Sequence, residues 1–296
     1  MSSSAQTLLQ SWSIPVGLTC GLLVAAAIYI RGWLSLRAAF PNLVPISRLL
    51  AFVSGLFSIW IAIGSPLGVL DDEMLSAHMM QHLLLMAIAP PLLLMGTPVV
   101  PFLHGLPRPL VRGILGPILR LPGIQWLGRF LSHPVTCLLA ASLALIGWHV
   151  PAAFELGLRS EWWHEVEHAC FFITGIMLWW PVVQPWPSVA RWPRWFVPAY
   201  LFFATLPCDA LSAFLTFYDR VVYSSYQSVP ALFGRSPLED QQFAGALMWL
   251  CVTLIYMIPA VAITVQILSP SRPTQAMPAL RTAKTPPTGE SGLGIF

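Results

Sequence analysis

Apolar residues in this chain are gathered into predominantly apolar runs of 16 to 28 residues, separated by short polar links or by stretches rich in proline and glycine. A run of about 20 apolar residues is what an α-helix needs to cross the hydrocarbon core of a bilayer. Seven such runs are present: residues 14–29, 46–64, 73–95, 134–150, 164–183, 195–217 and 241–268. They predict an all-α polytopic membrane helix bundle of seven transmembrane helices within one domain, residues 1–268. No basic residue precedes the first run, so it is expected to be a retained span rather than a cleaved signal.

The links between runs are sorted by charge. Arg31, Arg37 and Arg48 fall in the first link, Arg108, Arg112, Arg120 and Arg129 in the third, Arg191 and Arg194 in the fifth, and Arg272, Arg281 and Lys284 in the tail. Twelve of the 15 basic residues thus lie on one side, leaving Arg159, Arg220 and Arg235 on the other. The excess of basic residues in cytoplasmic loops then puts the N-terminus outside and the C-terminus inside. Residues 97–132, with spaced arginines, prolines and glycines, read as a cytoplasmic re-entrant or surface-lying amphipathic piece. Residues 219–240 read as an outer loop whose Tyr223, Tyr226 and Phe233 pack over the mouth of the bundle. The tail, residues 269–296, has the composition of a disordered cytoplasmic segment. Trp162, Trp163, Trp179, Trp180, Trp186, Trp192 and Trp195 fall near span ends and are expected to be interfacial anchors.

Composition agrees with this pattern. Hydrophobic residues make up 56% of the chain and charged residues 9%, with a mean hydropathy of +0.72, far from a soluble domain. The net charge of +3 is divided by side rather than gathered into a patch, which excludes a nucleic-acid partner. Cys20, Cys137, Cys170, Cys208 and Cys251 are scattered without CxxC spacing, which argues against a disulfide framework or a thiolate metal cage.

The histidines alter the picture. His104 and His133 belong to the arginine-rich side, whereas His78, His82, His149, His164 and His168 all fall in the outer half of three spans. Two of the spans carry HxxxH pairs, which place two imidazoles on one helical face and present them to one metal ion. Asp71, Asp72 and Glu73 mark where water begins. From there, helical rise puts His78 roughly 8 Å and His82 roughly 14 Å inside the apolar zone. Ionisable groups at that depth need partners and mark a functional site. Asp209, roughly 15 Å below the outer surface by the same measure, is a sixth candidate. Glu167 and the start of the last span, Asp240 to Gln242, are candidates for an outer shell. A metal or haem site built from at least three histidines is expected, with Asp209 as ligand or supporting group. Imidazole suits copper, zinc and iron; Met74, Met79 and Met80 tilt the choice toward copper.

Four segments carry a family resemblance: HMMQHLLLMAIAPPLLLMGTP from His78, GWHVPAAFE from Gly147, HEVEHACFFITGIMLWWPVV from His164 and EDQQFAGALMWL from Glu239. In this order they resemble the CtaG family of bacterial cytochrome c oxidase assembly factors, the multi-span type associated with caa-type oxidases. The resemblance implies a multi-pass protein of the bacterial plasma (inner) membrane, needed for maturation of a haem-copper oxidase and handling copper on the outer side. His78, His82, His149, His164 and His168 are the positions that match the family's histidine motifs. No copper-chaperone motif is present, so the expected partners are an oxidase subunit and a separate copper donor protein. The chain is then expected not to be an enzyme. Two other readings stay open: a zinc-dependent membrane hydrolase with Asp209 or Glu167 as base, and a haem-binding membrane redox protein.

Overall fold

The computed structural model describes residue 12 and residues 14–40, 44–185, 192–228 and 233–269, and these are helical with no strand. Trp186, Arg191 and the tail beyond residue 269 lie outside the described residues. Six helices are long and apolar enough to cross a membrane, or seven if one bent pair counts as a single span. They are α1 (Val16–Ala39), α2 (Ile46–Gly64, continued by a turn to Leu70), α3 (Leu75–Met95), α8 (Glu161–Val183), α9 (Phe196–Phe217) and α10 (Pro237–Leu268). The bent pair is α5 (Pro122–Leu131) and α6 (Pro134–His149), which meet at 66°. Two shorter helices complete the frame, α4 (Val99–Gly105) and α7 (Pro151–Arg159).

The expected spans thus recur with shifted ends. The largest shift is in α1, which runs ten residues past Tyr29 and carries Arg31 and Arg37 in its last turns rather than in a link. Nothing interrupts the helix before Phe40, which precedes Pro41 and so leaves the helical region. Residues 97–132 form a series of short helices, of which α5 exposes Ile124, Trp126, Leu127 and Phe130. α6, with 16 residues, spans about 24 Å and is short for a crossing.

The central element is α3. In its core window 61% of residues are buried, against 17 to 33% in the other long helices. One apolar core joins α3 to α6, α8, α9 and α10; a second, around Tyr29, Phe52 and Leu93, joins it to α1 and α2. Pro90 lacks an N–H to bond back to Met86, and α3 absorbs the loss with one π turn at Leu84–Ile88. Gly175 of α8 packs against this spot: a Cβ there would stand 2.8 Å from the Met86 carbonyl oxygen. The buried stripe of α8, namely Glu167, Phe171, Gly175 and Trp179, steps by four and faces α3 along its length.

At the end remote from the histidines, α1 and α4 approach backbone to backbone. A Cβ on Gly32 would collide with the Pro101 carbonyl, and one on Gly105 with the Ile28 carbonyl. Tyr29 Oη donates to Gly96 O at 2.7 Å and ties the same corner to the end of α3. Gly32→Ala is therefore expected to destabilise the protein by about 1–3 kcal/mol, read as a lowered thermal midpoint in detergent. An unchanged midpoint would show that α4 can move away freely.

Candidate metal centre

The histidine-bearing turns of α3 are held in place by the last helix. Met74, at the N-cap of α3, offers no side-chain cap. Asp240 of α10 supplies it instead, accepting from Ser76 N at 3.2 Å and Ser76 Oγ at 2.5 Å. A carboxylate at a helix N-terminus satisfies a free N–H and the positive end of the helix dipole together. Tyr226 Oη donates to Asp71 O at 2.5 Å, and Tyr223 Oη to His149 O at 3.2 Å. The loop after α9 thus closes over the segment before α3 and the end of α6.

Beneath this cover, three helices aim imidazoles at one region. The rings of His78 and His82 lie 4.3 Å apart between centroids, His78 and His164 5.3 Å, His164 and His168 4.2 Å, and His82 and His168 5.7 Å. Glu167 joins them from α8, fully buried, with Oε1 3.8 Å from His78 Nε2 and 3.6 Å from His82 Nε2. At the outer margin, Asp71 Oδ2 stands 3.6 Å from His164 Nε2. Burial pushes the Asp71 carboxyl above its ordinary range, while neighbouring His164 and His78 pull it back. His164 is half-buried and connects the cluster to the surface.

None of these carboxylate–imidazole distances is a hydrogen bond, because all exceed the usual 2.7–3.2 Å range. They are close to what a shared ion would require. Ligand atoms about 2.0–2.2 Å from one tetrahedral ion stand roughly 3.3–3.6 Å from one another. Two triplets place their ligand atoms within 4.8 Å of each other: His78, His82 and Glu167, and Asp71, His78 and His164. Both use His78.

The polar atoms here are also unpaired. Both ring nitrogens of His78 and of His82, both oxygens of Glu167, and Nε2 of His164 and His168 are buried without a hydrogen-bond partner. An unsatisfied buried polar group costs about 1–3 kcal/mol, so eight together approach the ~5–15 kcal/mol net stability of a folded domain. Such a group of atoms fits an electrophile placed among them. The donor set, imidazole and carboxylate without thiolate, is chemically competent for copper, zinc or iron.

Comparison with known proteins bears on this arrangement. The family model described as cytochrome c oxidase caa3 assembly factor (Caa3_CtaG) matches residues 27–269. This chain belongs to the caa3 assembly factor family. Uncharacterized proteins of Mycobacterium bovis and Mycobacterium tuberculosis are each 30% identical to it over 253 residues, 82% of this chain and 37% of theirs. An uncharacterized protein of Mycobacterium leprae is 29% identical over 246 residues, 80% of this chain and 36% of its own length. The chain thus spans little more than a third of the curated relatives it matches. No solved structure matches it.

The region matched to the caa3 assembly factor model includes every residue of the cluster. Of the candidates from sequence, His78, His82, His164 and His168 come together directly. His149 lies beyond His82, at 6.2 Å between ring centroids, and Nδ1 bonds to Leu145 O at 2.7 Å. Asp209 is in neither triplet, although its Oδ1 is buried and unpaired. It lies beside the buried stripe of α9, which runs through Leu201, Thr205, Cys208 and Ser212. The carboxylates that reach the cluster are Glu167, expected in an outer shell or as a hydrolase base, and Asp71, expected only as a boundary marker. Glu167 was traceable as the head of the i, i+4 stripe of α8. His164 to His168 spells HExxH in full, but Glu165 is exposed and Glu167 is the inward glutamate. Asp240 and Gln241 hold the frame rather than the cluster side chains: Asp240 caps α3, and Gln241 Oε1 accepts from Val222 N at 2.7 Å.

Two consequences follow for the frame of this caa3 assembly factor family member. Asp240→Ala removes the cap from α3 and is expected to cost about 1–2 kcal/mol, read in a denaturation midpoint that Ser76→Ala would lower by less. An unchanged midpoint would mean water replaces the cap. The second concerns Glu155 of α7, which accepts from Ser224 Oγ at 2.8 Å, from Ser225 N at 3.0 Å and from Ser225 Oγ. Burial raises its carboxyl, and these bonds together with Arg159 outweigh burial, holding it below 4.5. A group held low in the folded state stabilises it above the unfolded value, and that contribution disappears as pH falls through the folded value. Acidification is thus expected to lower amide protection, corrected for the intrinsic pH dependence of exchange, in the loop around Ser224 to Tyr226, and Glu155→Gln to remove that pH dependence of protection.

Proposed function

We propose that this protein is a non-catalytic membrane assembly factor for a haem-copper cytochrome c oxidase, and that it takes copper as cargo on the imidazole–carboxylate cluster. The observation that carries this reading is the set of eight unpaired buried polar atoms converging from α3 and α8. Family membership supplies the oxidase context. His78, His82 and Glu167 would hold the ion in the interior, with Asp71 and His164 at the entrance and His168 beside the path. Transfer rather than storage is supported by the sharing of His78 between the two triplets, since an ion can leave one set while engaging the next.

The remaining assignments belong to the same proposal. The excess of arginines at the end opposite the histidines supports an outside N-terminus, an inside C-terminus and entry of copper from the outer face of a bacterial plasma membrane. A separate copper donor protein and an oxidase subunit are the partners this chemistry calls for.

A second reading has its own observation. Two histidines and a glutamate are also the donor set of zinc hydrolases, with a fourth position left for water. Against it, the cavity adjoining His82 and His149 measures about 40 Å³, whereas clefts for drug-sized ligands run to about 300–1,000 Å³. The same size argues against haem.

The test is metal retention by detergent-purified protein after copper loading and washing, with a visible spectrum. About one Cu(II) per chain is expected, with no haem band, falling at least tenfold in Glu167→Gln and in His82→Ala. Zinc retained in place of copper, with hydrolysis of a lipid amide or ester, would favour the second reading. Equal copper in wild type and variants would remove the cluster from the proposal.

A further inference from the structure

Below the carboxylate-bearing triplets the lining changes character. The cavity of about 40 Å³ is walled by His82 and His149, by the sulfur-bearing side chains of Met79, Met86, Cys208 and Met248, and by Tyr256, the rest being apolar. A cavity of this size has room for an ion or a water molecule among these side chains.

One contact in its wall is unusual. His149 Nδ1 lies 2.7 Å from Leu145 O, and a carbonyl can only accept, so the ring hydrogen is on Nδ1. In the neutral ring Nε2 then carries a bare lone pair, and it points at Met79 Sδ from 3.3 Å. In that tautomer two lone-pair donors face each other in a buried site with no hydrogen between them. An imidazole nitrogen at about 2.0 Å and a sulfur at about 2.3 Å from one tetrahedral ion stand roughly 3.5 Å apart, so the pair is set at nearly a chelating distance. Met79 is fully buried and fixed on α3 between His78 and His82, and His149 terminates the buried stripe of α6. Neither donor needs to move far.

From this juxtaposition we infer that Met79 Sδ and His149 Nε2 form a second metal position, distinct from the carboxylate triplets and selective for a soft monovalent ion, Cu(I). Thioether sulfur with imidazole and no carboxylate favours Cu(I) over divalent ions. His82 belongs to the inner triplet and also lines this cavity, so it is the side chain through which the two positions communicate. Donors then run from oxygen and nitrogen at the entrance to nitrogen and sulfur at the interior. The inference extends the copper reading above, but the binding of a soft ion by this pair can be measured without it.

The experiment is X-ray absorption at the metal edge on full-length detergent-purified protein loaded with Ag(I) or, under reducing conditions, Cu(I). It is repeated on selenomethionine-substituted protein and on Met79→Leu, which keeps side-chain volume. The expected result is a metal–sulfur scatterer at about 2.3 Å in the wild type, replaced by metal–selenium on selenomethionine substitution, which a cysteine ligand would not produce. It is lost in Met79→Leu with at least a tenfold weaker affinity for Cu(I), and retained in Glu167→Gln. Purely nitrogen and oxygen scattering in the wild type, or sulfur scattering undiminished in Met79→Leu, overturns the site. Cu(II) bound without any sulfur-bound Ag(I) or Cu(I) overturns this inference and leaves the triplet reading intact. Sulfur-bound Ag(I) without Cu(II) binding supports this site and overturns the triplet reading.

Discussion

The structure depends on one constraint: an ionisable cluster is enclosed in a bundle that would otherwise be apolar. In such surroundings polar groups gain strength when paired and impose a large penalty when not. Much of the packing can be understood as what is needed to bring those groups to one place. α3 is central because it carries His78 and His82; α8 lies against it because Gly175 permits close approach where the π turn bares the Met86 carbonyl. Asp240 caps the first turn of α3, and Tyr223 and Tyr226 fasten the loop above it.

The site is layered along the bundle. Asp71 and half-buried His164 stand at the margin, fully buried Glu167 with His78 and His82 come next, and His149 with Met79 lies innermost. On the proposed reading these layers let an ion exchange donors one at a time, so that no step requires leaving all ligands at once. A rigid cage would bind as tightly but would not release.

Much of the fold was legible because membrane spans announce themselves through length and hydropathy, which do not depend on tertiary detail. Span ends were less legible where no breaker occurs: α1 continues through Arg31 and Arg37 because only Pro41 stops it. The π turn in α3 had a sequence cause in Pro90, but its role in seating Gly175 emerges only from the packing of two helices. For the site, spacing within one helix was informative and depth between helices only partly so. His78 with His82, and His164 with His168, follow from helical periodicity. Asp209 lies beside the buried stripe of α9 rather than on it, and rise per residue says nothing about which face meets the core. Glu167 was recoverable from the buried stripe of α8, whereas Asp71 required knowing that the turn before α3 folds inward under Tyr226.

If the buried imidazoles and carboxylates are arranged around an ion, anomalous diffraction at the copper edge from copper-loaded crystals will show a peak about 2.0–2.2 Å from nitrogens of His78 and His82 and an oxygen of Glu167. Ordered waters bonded to those atoms, with no anomalous peak among them, would contradict that arrangement.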